Sequence, residues 1–193
     1  MTIKTVIAAG VLAASALLAM PATAQTTGVC SFGAPAADAP PEISQFEFLI
    51  GNFRIEARQW TGEAFSEGYL EAQWNGYWGI DGRAVIDEWF GPQVSPDRPR
   101  SFGVNVRYFN PENGRWSMVW QATSGAAMIF EAEQGEDDVL RMWQVYPEPA
   151  TERFIYFEIY SDTHWARIDG QVLEDGTRLP QFKLEAHEVP CEG

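Results

Sequence analysis

Residues Ser101 to Glu133 read SFGVNVRYFNPENGRWSMVWQATSGAAMIFEAE, and this stretch decides the fold. Two clusters of turn formers, NPENG at 110–114 and TSGA at 123–126, cut it into three short runs. Within each run apolar and polar residues alternate, which is the period of a half-buried β-strand. The alternation predicts one face carrying Phe102, Val104, Val106 and Tyr108 together with Trp116, Met118, Trp120, Met128, Phe130 and Ala132. Asn105, Arg107, Ser117, Gln121, Glu131 and Glu133 fall on the other. A sheet with one aromatic-rich face must bury that face, and a meander does so most simply by curling onto itself.

The same pattern extends in both directions. NFRIEARQW, GYLEAQWNGYW and RAVIDEWF precede the stretch, and VLRMWQVY, RFIYFEIY, HWARID and QFKLEAHEV follow it. Their connections are turn-like: IDG at 80–82, QGEDD at 134–138, PEPAT at 147–151 and EDGT at 174–177. No amphipathic segment of helix length lies between them. The expectation is one all-β domain over 43–193, an antiparallel barrel of about nine or ten strands. ISQFEFLI, from Ile43 to Ile50, spaces Phe46, Leu49 and Ile50 as a short helix would, placed to plug one end and stopped by Gly51. The one long connection, Gly91 to Arg100, is either a stiff rim spacer or a lid over the mouth.

The chain ends carry a second message. Lys4, the apolar run from Val6 to Met20 and a small-x-small pattern ending at Ala24 predict a signal peptide over 1–24, in a run too short to span a bilayer. Export to the periplasm or beyond is therefore expected, with an Ala-, Pro- and Gly-rich flexible segment over 25–42. In an oxidising compartment the chain's 2 cysteines, Cys30 and Cys191, are expected to pair, tying the ends together for about 5 kcal/mol in the chain-entropy picture. With 27 acidic against 13 basic residues the net charge is −14, and losing Lys4 makes it more negative still. That excludes nucleic acid and anionic membrane surfaces as partners. An aromatic content of 13% excludes a disordered acidic chain.

FEFLIGNFRIE, IDGRAVIDEW, VRYFNPENGRWSMVW and DTHW with the following EDGT resemble the bacterial domain-of-unknown-function 1579 family, over most of Phe46 to Val189. The resemblance implies a lipocalin-like (calycin-type) barrel with a pocket and no established reaction. A more distant similarity is to nitrobindin-type haem barrels. Gly51-Asn52-Phe53 lacks the further glycines of the nitrobindin opening, so haem, or any other cofactor, is not expected.

Candidate chemistry is sparse. His187 shares a polar parity with Lys183 and Glu185 and is expected to face water, while His164 sits in the turn SDTHW. No HxxxH or HxH spacing occurs, so no metal site is expected. Glu88 has the parity of Ala84, Ile86 and Phe90, and Glu158 that of Phe154, Tyr156 and Tyr160. Turned inward, either carboxylate would have a raised pKa and could serve as general acid or base. With the opposite parity, Val85, Trp89, Ile155, Phe157 and Ile159 fill the core, and the sequence leaves that choice open. Arg107 is expected to pair with Asp87 or Glu131; holding a ligand carboxylate would require a barrel turned polar side in.

Eight tryptophans and the central methionines predict an adaptable apolar lining. The expected function is binding of a small hydrophobic or aromatic molecule. Trp116, Met118, Trp120, Met128, Phe130 and Met142 would line the site, with Tyr108 or Tyr156 as a polar handle. The alternative is an isomerase, cyclase or hydrolase using Glu88 or Glu158, with Tyr156 as partner. No GxSxG, Ser-His-Asp order or glycine-rich phosphate loop is present.

Overall fold

The computed structural model describes residues 30–95, 97, 100–135, 140–149 and 153–191. A 3-10 helix, Pro41–Leu49, leads into ten strands: β1 (Gly51–Gln59), β2 (Leu70–Gly79), β3 (Ala84–Phe90), β4 (Phe102–Asn110), β5 (Arg115–Ala122), β6 (Ala127–Gln134), β7 (Leu140–Tyr146), β8 (Arg153–Ser161), β9 (His164–Val172) and β10 (Arg178–Glu188). Each pairs with its sequence neighbour, and β1 pairs antiparallel with β10 to close the ring. The expected all-β, lipocalin-like antiparallel barrel is thus what the chain forms, and closure leaves no sheet edge to protect. Among the described residues no helix is long and apolar enough to cross a membrane.

The 3-10 helix fills one end of the barrel. Ile43, Phe46, Phe48 and Leu49 are buried there, and Phe46 meets Trp116 edge to face at 4.7 Å and Phe157 at 5.9 Å. Phe48 packs on Trp165 at 5.8 Å. The Trp116 Nε1–H donates to Gln45 Oε1 at 2.8 Å, so the tryptophan satisfies its one polar atom on the plug itself. Gly76 makes this seat possible, because a Cβ on it would run into the Leu49 carbonyl.

The register of β4 corrects the expected faces. Phe109 lies opposite Trp116, Arg107 opposite Met118 and Asn105 opposite Trp120. Residues directly opposite share a face, so Asn105 and Arg107 point inward with the tryptophan stripe, while Val104, Val106 and Tyr108 point out. The cause is turn length. Asn110 pairs with Arg115, which leaves a loop of four residues rather than the five of NPENG. A change of one residue in the loop turns every side chain of the strand over.

The outer wall is partly covered. Residues 30–38 run along β2 and the turn after it, with Trp78 N–H donating to Phe32 O at 2.7 Å, Ala36 N–H to Gly82 O at 2.9 Å, and Arg83 paired with Asp38 at 2.7 Å. Cys30 and Cys191 form the expected disulfide, with Cα atoms 5.5 Å apart. A small apolar cluster of Phe154, Ala166 and Ile168 lies on the outside of β8 and β9 under Phe65, Tyr156 and Val172. The predicted signal peptide and the first residues after it lie outside the described residues, as do 96, 98 and 99 of the connection considered as a lid.

Candidate functional site

Under the plug the interior is filled by packed aromatic rings, and beyond them lies a cavity of about 230 Å³. Its walls come from the inward parity of eight strands. Trp74 and Trp89 stand on β2 and β3, Trp120 on β5, Met128 and Phe130 on β6, Met142 on β7 and Leu184 on β10. Asn105 and Arg107 from β4 and Arg167 from β9 complete the lining. Trp89, Trp120 and Met128 are half-buried and mark the mouth.

The polar floor is the notable feature of this interior. Arg107 is 1% exposed and pairs with Asp87, which is 0% exposed and also accepts from Asn105 Nδ2 at 3.0 Å. The guanidinium is held between the rings of Phe46 and Trp74, its central carbon 5.5 and 5.6 Å from their centroids. Burial pushes the Arg107 pKa well below its ordinary value, and repulsion from Arg167 acts in the same direction. Arginine's intrinsic basicity and the contact with Asp87 keep it charged nonetheless. Arg167 Nη2 donates to Asp169 Oδ1 at 2.9 Å. The Nε–H of Arg107, the Nε–H of Arg167 and the indole N–H of Trp74 are buried without a protein acceptor among the described residues. Such donors are costly to leave unmet. A ligand with an acceptor end would satisfy them, and an anionic end would also relieve the repulsion between the two arginines.

Of the side chains expected to line a ligand, Trp120, Met128, Phe130 and Met142 do face the cavity. Trp116 and Met118 also point inward, but they are fully buried in the packed core beside the plug. Tyr108 is corrected: it is 46% exposed on the outer face, for the register reason given above. Tyr156 is corrected as well, since it packs outside with Phe154. Glu88 and Glu158 do not face the interior either. Val85, Asp87 and Trp89 take the inward parity of β3, and Ile155 and Phe157 that of β8. Glu158 instead accepts a hydrogen bond from the Tyr160 hydroxyl. The carboxylates on the inward parity are instead Asp87, engaged by Arg107 and Asn105, and Asp169, engaged by Arg167. Ile159, the last of the alternative core set, is exposed.

Arg167 and Asp169 carry no sequence signal of their own, because HWARID does not fix which parity faces in. His164 and His187 pair directly across β9 and β10, with Glu185 beside them on the outer face.

No protein-family profile matches the chain, and no curated protein does. Among solved structures it is similar to the S-type phycobiliprotein lyase of Guillardia theta, with a TM-score of 0.51 and 9% identity. The match covers 77% of this chain and 92% of the lyase. At that identity the likeness is one of fold, and it matches the closed lipocalin-like barrel described above.

Proposed function

We propose that the protein is an exported barrel that binds a small molecule with an aromatic or apolar body and an anionic end, such as an aromatic carboxylate. One observation carries this reading: a tryptophan- and methionine-walled cavity whose floor is a buried arginine with an unmet donor. Size narrows the class. A cavity of about 230 Å³ exceeds the roughly 150 Å³ that accommodates benzene. It falls below the roughly 300–1,000 Å³ usual for drug-sized ligands. A single ring system with a short acidic tail fits this space, and a tetrapyrrole does not. Export is supported by the apolar leader and by the disulfide that joins the chain ends. Membership of the domain-of-unknown-function 1579 family is part of the proposal and rests on the sequence pieces quoted above.

The test is native mass spectrometry of the protein purified from its own host, followed by fluorescence titration with aromatic acids and with their neutral methyl esters. Tryptophans at the mouth make the quench a direct reporter. A stoichiometric co-purified acid, or an acid bound at least tenfold tighter than its ester, is the expected result. Equal affinity for acid and ester would overturn the anionic part. A clean apo mass with no saturable quench by either would overturn the container.

A further inference from the structure

The pairing of β9 with β10 sets His164 directly opposite His187, and these are the chain's 2 histidines. Their rings stack at 4.5 Å with an interplanar angle of 21°. Glu185, two residues before His187 and on the same outward face, places Oε1 3.1 Å from His164 Nε2. One donor atom from each of the three residues lies within 4.8 Å of the other two. Beside them a cleft of about 520 Å³ is lined by Thr163, His164, His187, Glu188 and Pro190.

We propose that His164, Glu185 and His187 form a binding site for one divalent transition-metal ion of the zinc or copper class on the outer wall of the barrel. Two imidazoles and a carboxylate are the donor set that such ions select, with the fourth position open to water or a small ligand. Metal–ligand bonds of about 2.0–2.2 Å put tetrahedral donors about 3.4 Å apart, a spacing that His164 Nε2 and Glu185 Oε1, at 3.1 Å, already approach. Both half-buried rings line the cleft. Neighbouring side chains fix the arrangement. Lys183 Nζ engages Glu185 Oε2 at 3.2 Å, which leaves Oε1 for the ion. The Tyr160 ring lies 4.6 Å from the His164 ring and walls that side. Lys183, and Arg54 opposite His187 on β1, itself paired with Glu56, supply the competing positive charge. Both cysteines are tied in the disulfide, so no thiolate competes for the metal. The site is independent of the lumen and of any ligand there.

The experiment uses the mature, oxidised protein with any affinity tag removed, titrated with Cu²⁺ and Zn²⁺ alone. One equivalent of Cu²⁺ is expected to bind, with a spin-echo signature of two imidazole rings. Because the chain has no other histidine, that signature can arise only here. His164→Ala and His187→Ala should each weaken Cu²⁺ and Zn²⁺ binding by at least tenfold and leave one imidazole in the signature, and Glu185→Gln should weaken it less. Wild-type binding no tighter than that of the double histidine variant would overturn the proposal. If either alanine variant fails to fold, the wild-type spectrum still decides, because a signature of no imidazole or one would overturn it.

Discussion

The half of the barrel under the 3-10 helix and the half that opens between Trp89 and Met128 draw on the same residue types with different results. Under the helix, Phe46, Phe48, Trp116, Phe157 and Trp165 meet edge to face, each ring supporting the next. Toward the mouth, Trp89, Trp120 and Met128 pack on the core on one side and border the cavity on the other. Ten strands enclose more volume than side chains alone fill at one end, and the plug supplies what is missing at the other. The lesson is that an inward aromatic stripe does not by itself announce a binding site. Depth along the barrel decides whether a ring is core or lining, and depth is set by where the plug stops.

The buried ion pair sits at the junction of the two halves, and breaking it should have the largest effect. Arg107→Met leaves the Asp87 carboxylate buried with Asn105 as its remaining donor. A loss of about 3–5 kcal/mol is expected for such an orphaned charge, read from the midpoint of urea unfolding. Arg107→Met combined with Asp87→Leu should recover most of that stability, since an apolar pair of similar volume replaces two desolvated charges. The double variant should nevertheless bind aromatic acids no better than their esters. A double variant as unstable as the single one would show that the pair holds the β3–β4 wall together for reasons other than charge.

The two halves can also be compared directly by truncation. Phe46→Ala removes a ring that touches Trp116, Phe48 and Phe157 at full burial, and about 3–5 kcal/mol is expected from the transfer and cavity terms. Met128→Ala removes a side chain that already borders empty space. There the expected cost is about 1 kcal/mol or less, because few packed neighbours lose a contact. Parallel urea curves with matched m-values would measure both. Equal losses at the two positions would mean that the mouth is as tightly packed as the plug.

Much of the fold was legible because period-two alternation and short turn-rich connections survive in each strand taken alone. The parity of β4 was not legible, because it depends on whether the hairpin loop holds four residues or five, and NPENG permits both. That single residue moved Arg107 from an outer ion pair to the floor of the cavity and moved Tyr108 from lining to surface. In β8 both parities are apolar, since Phe154 and Tyr156 find an outer cluster of their own with Phe65 and Ile168, so alternation carried no information about Glu158. The histidine pair was invisible for a related reason. His164 and His187 are 23 positions apart and meet through register, which no spacing rule along one strand can detect.

The smallest change expected to affect function is at Gly103. Its α-carbon lies beneath the Trp120 ring, and a Cβ there would meet the ring's far edge. The sheet lies behind the ring, so the ring can yield only by lifting off the wall into the cavity. Gly103→Ala should therefore narrow the space available to a ligand while leaving the plug half untouched. About tenfold weaker binding of the best aromatic acid is expected, equivalent to about 1.4 kcal/mol. The urea midpoint should stay close to wild type, because Trp120 is already half-buried at the mouth and loses little packing by moving. The informative comparison is between the two readings on the same sample. A drop in stability without a change in affinity would place the Trp120 ring among the barrel's structural contacts and move the ligand's position deeper, against Arg107 and Trp74.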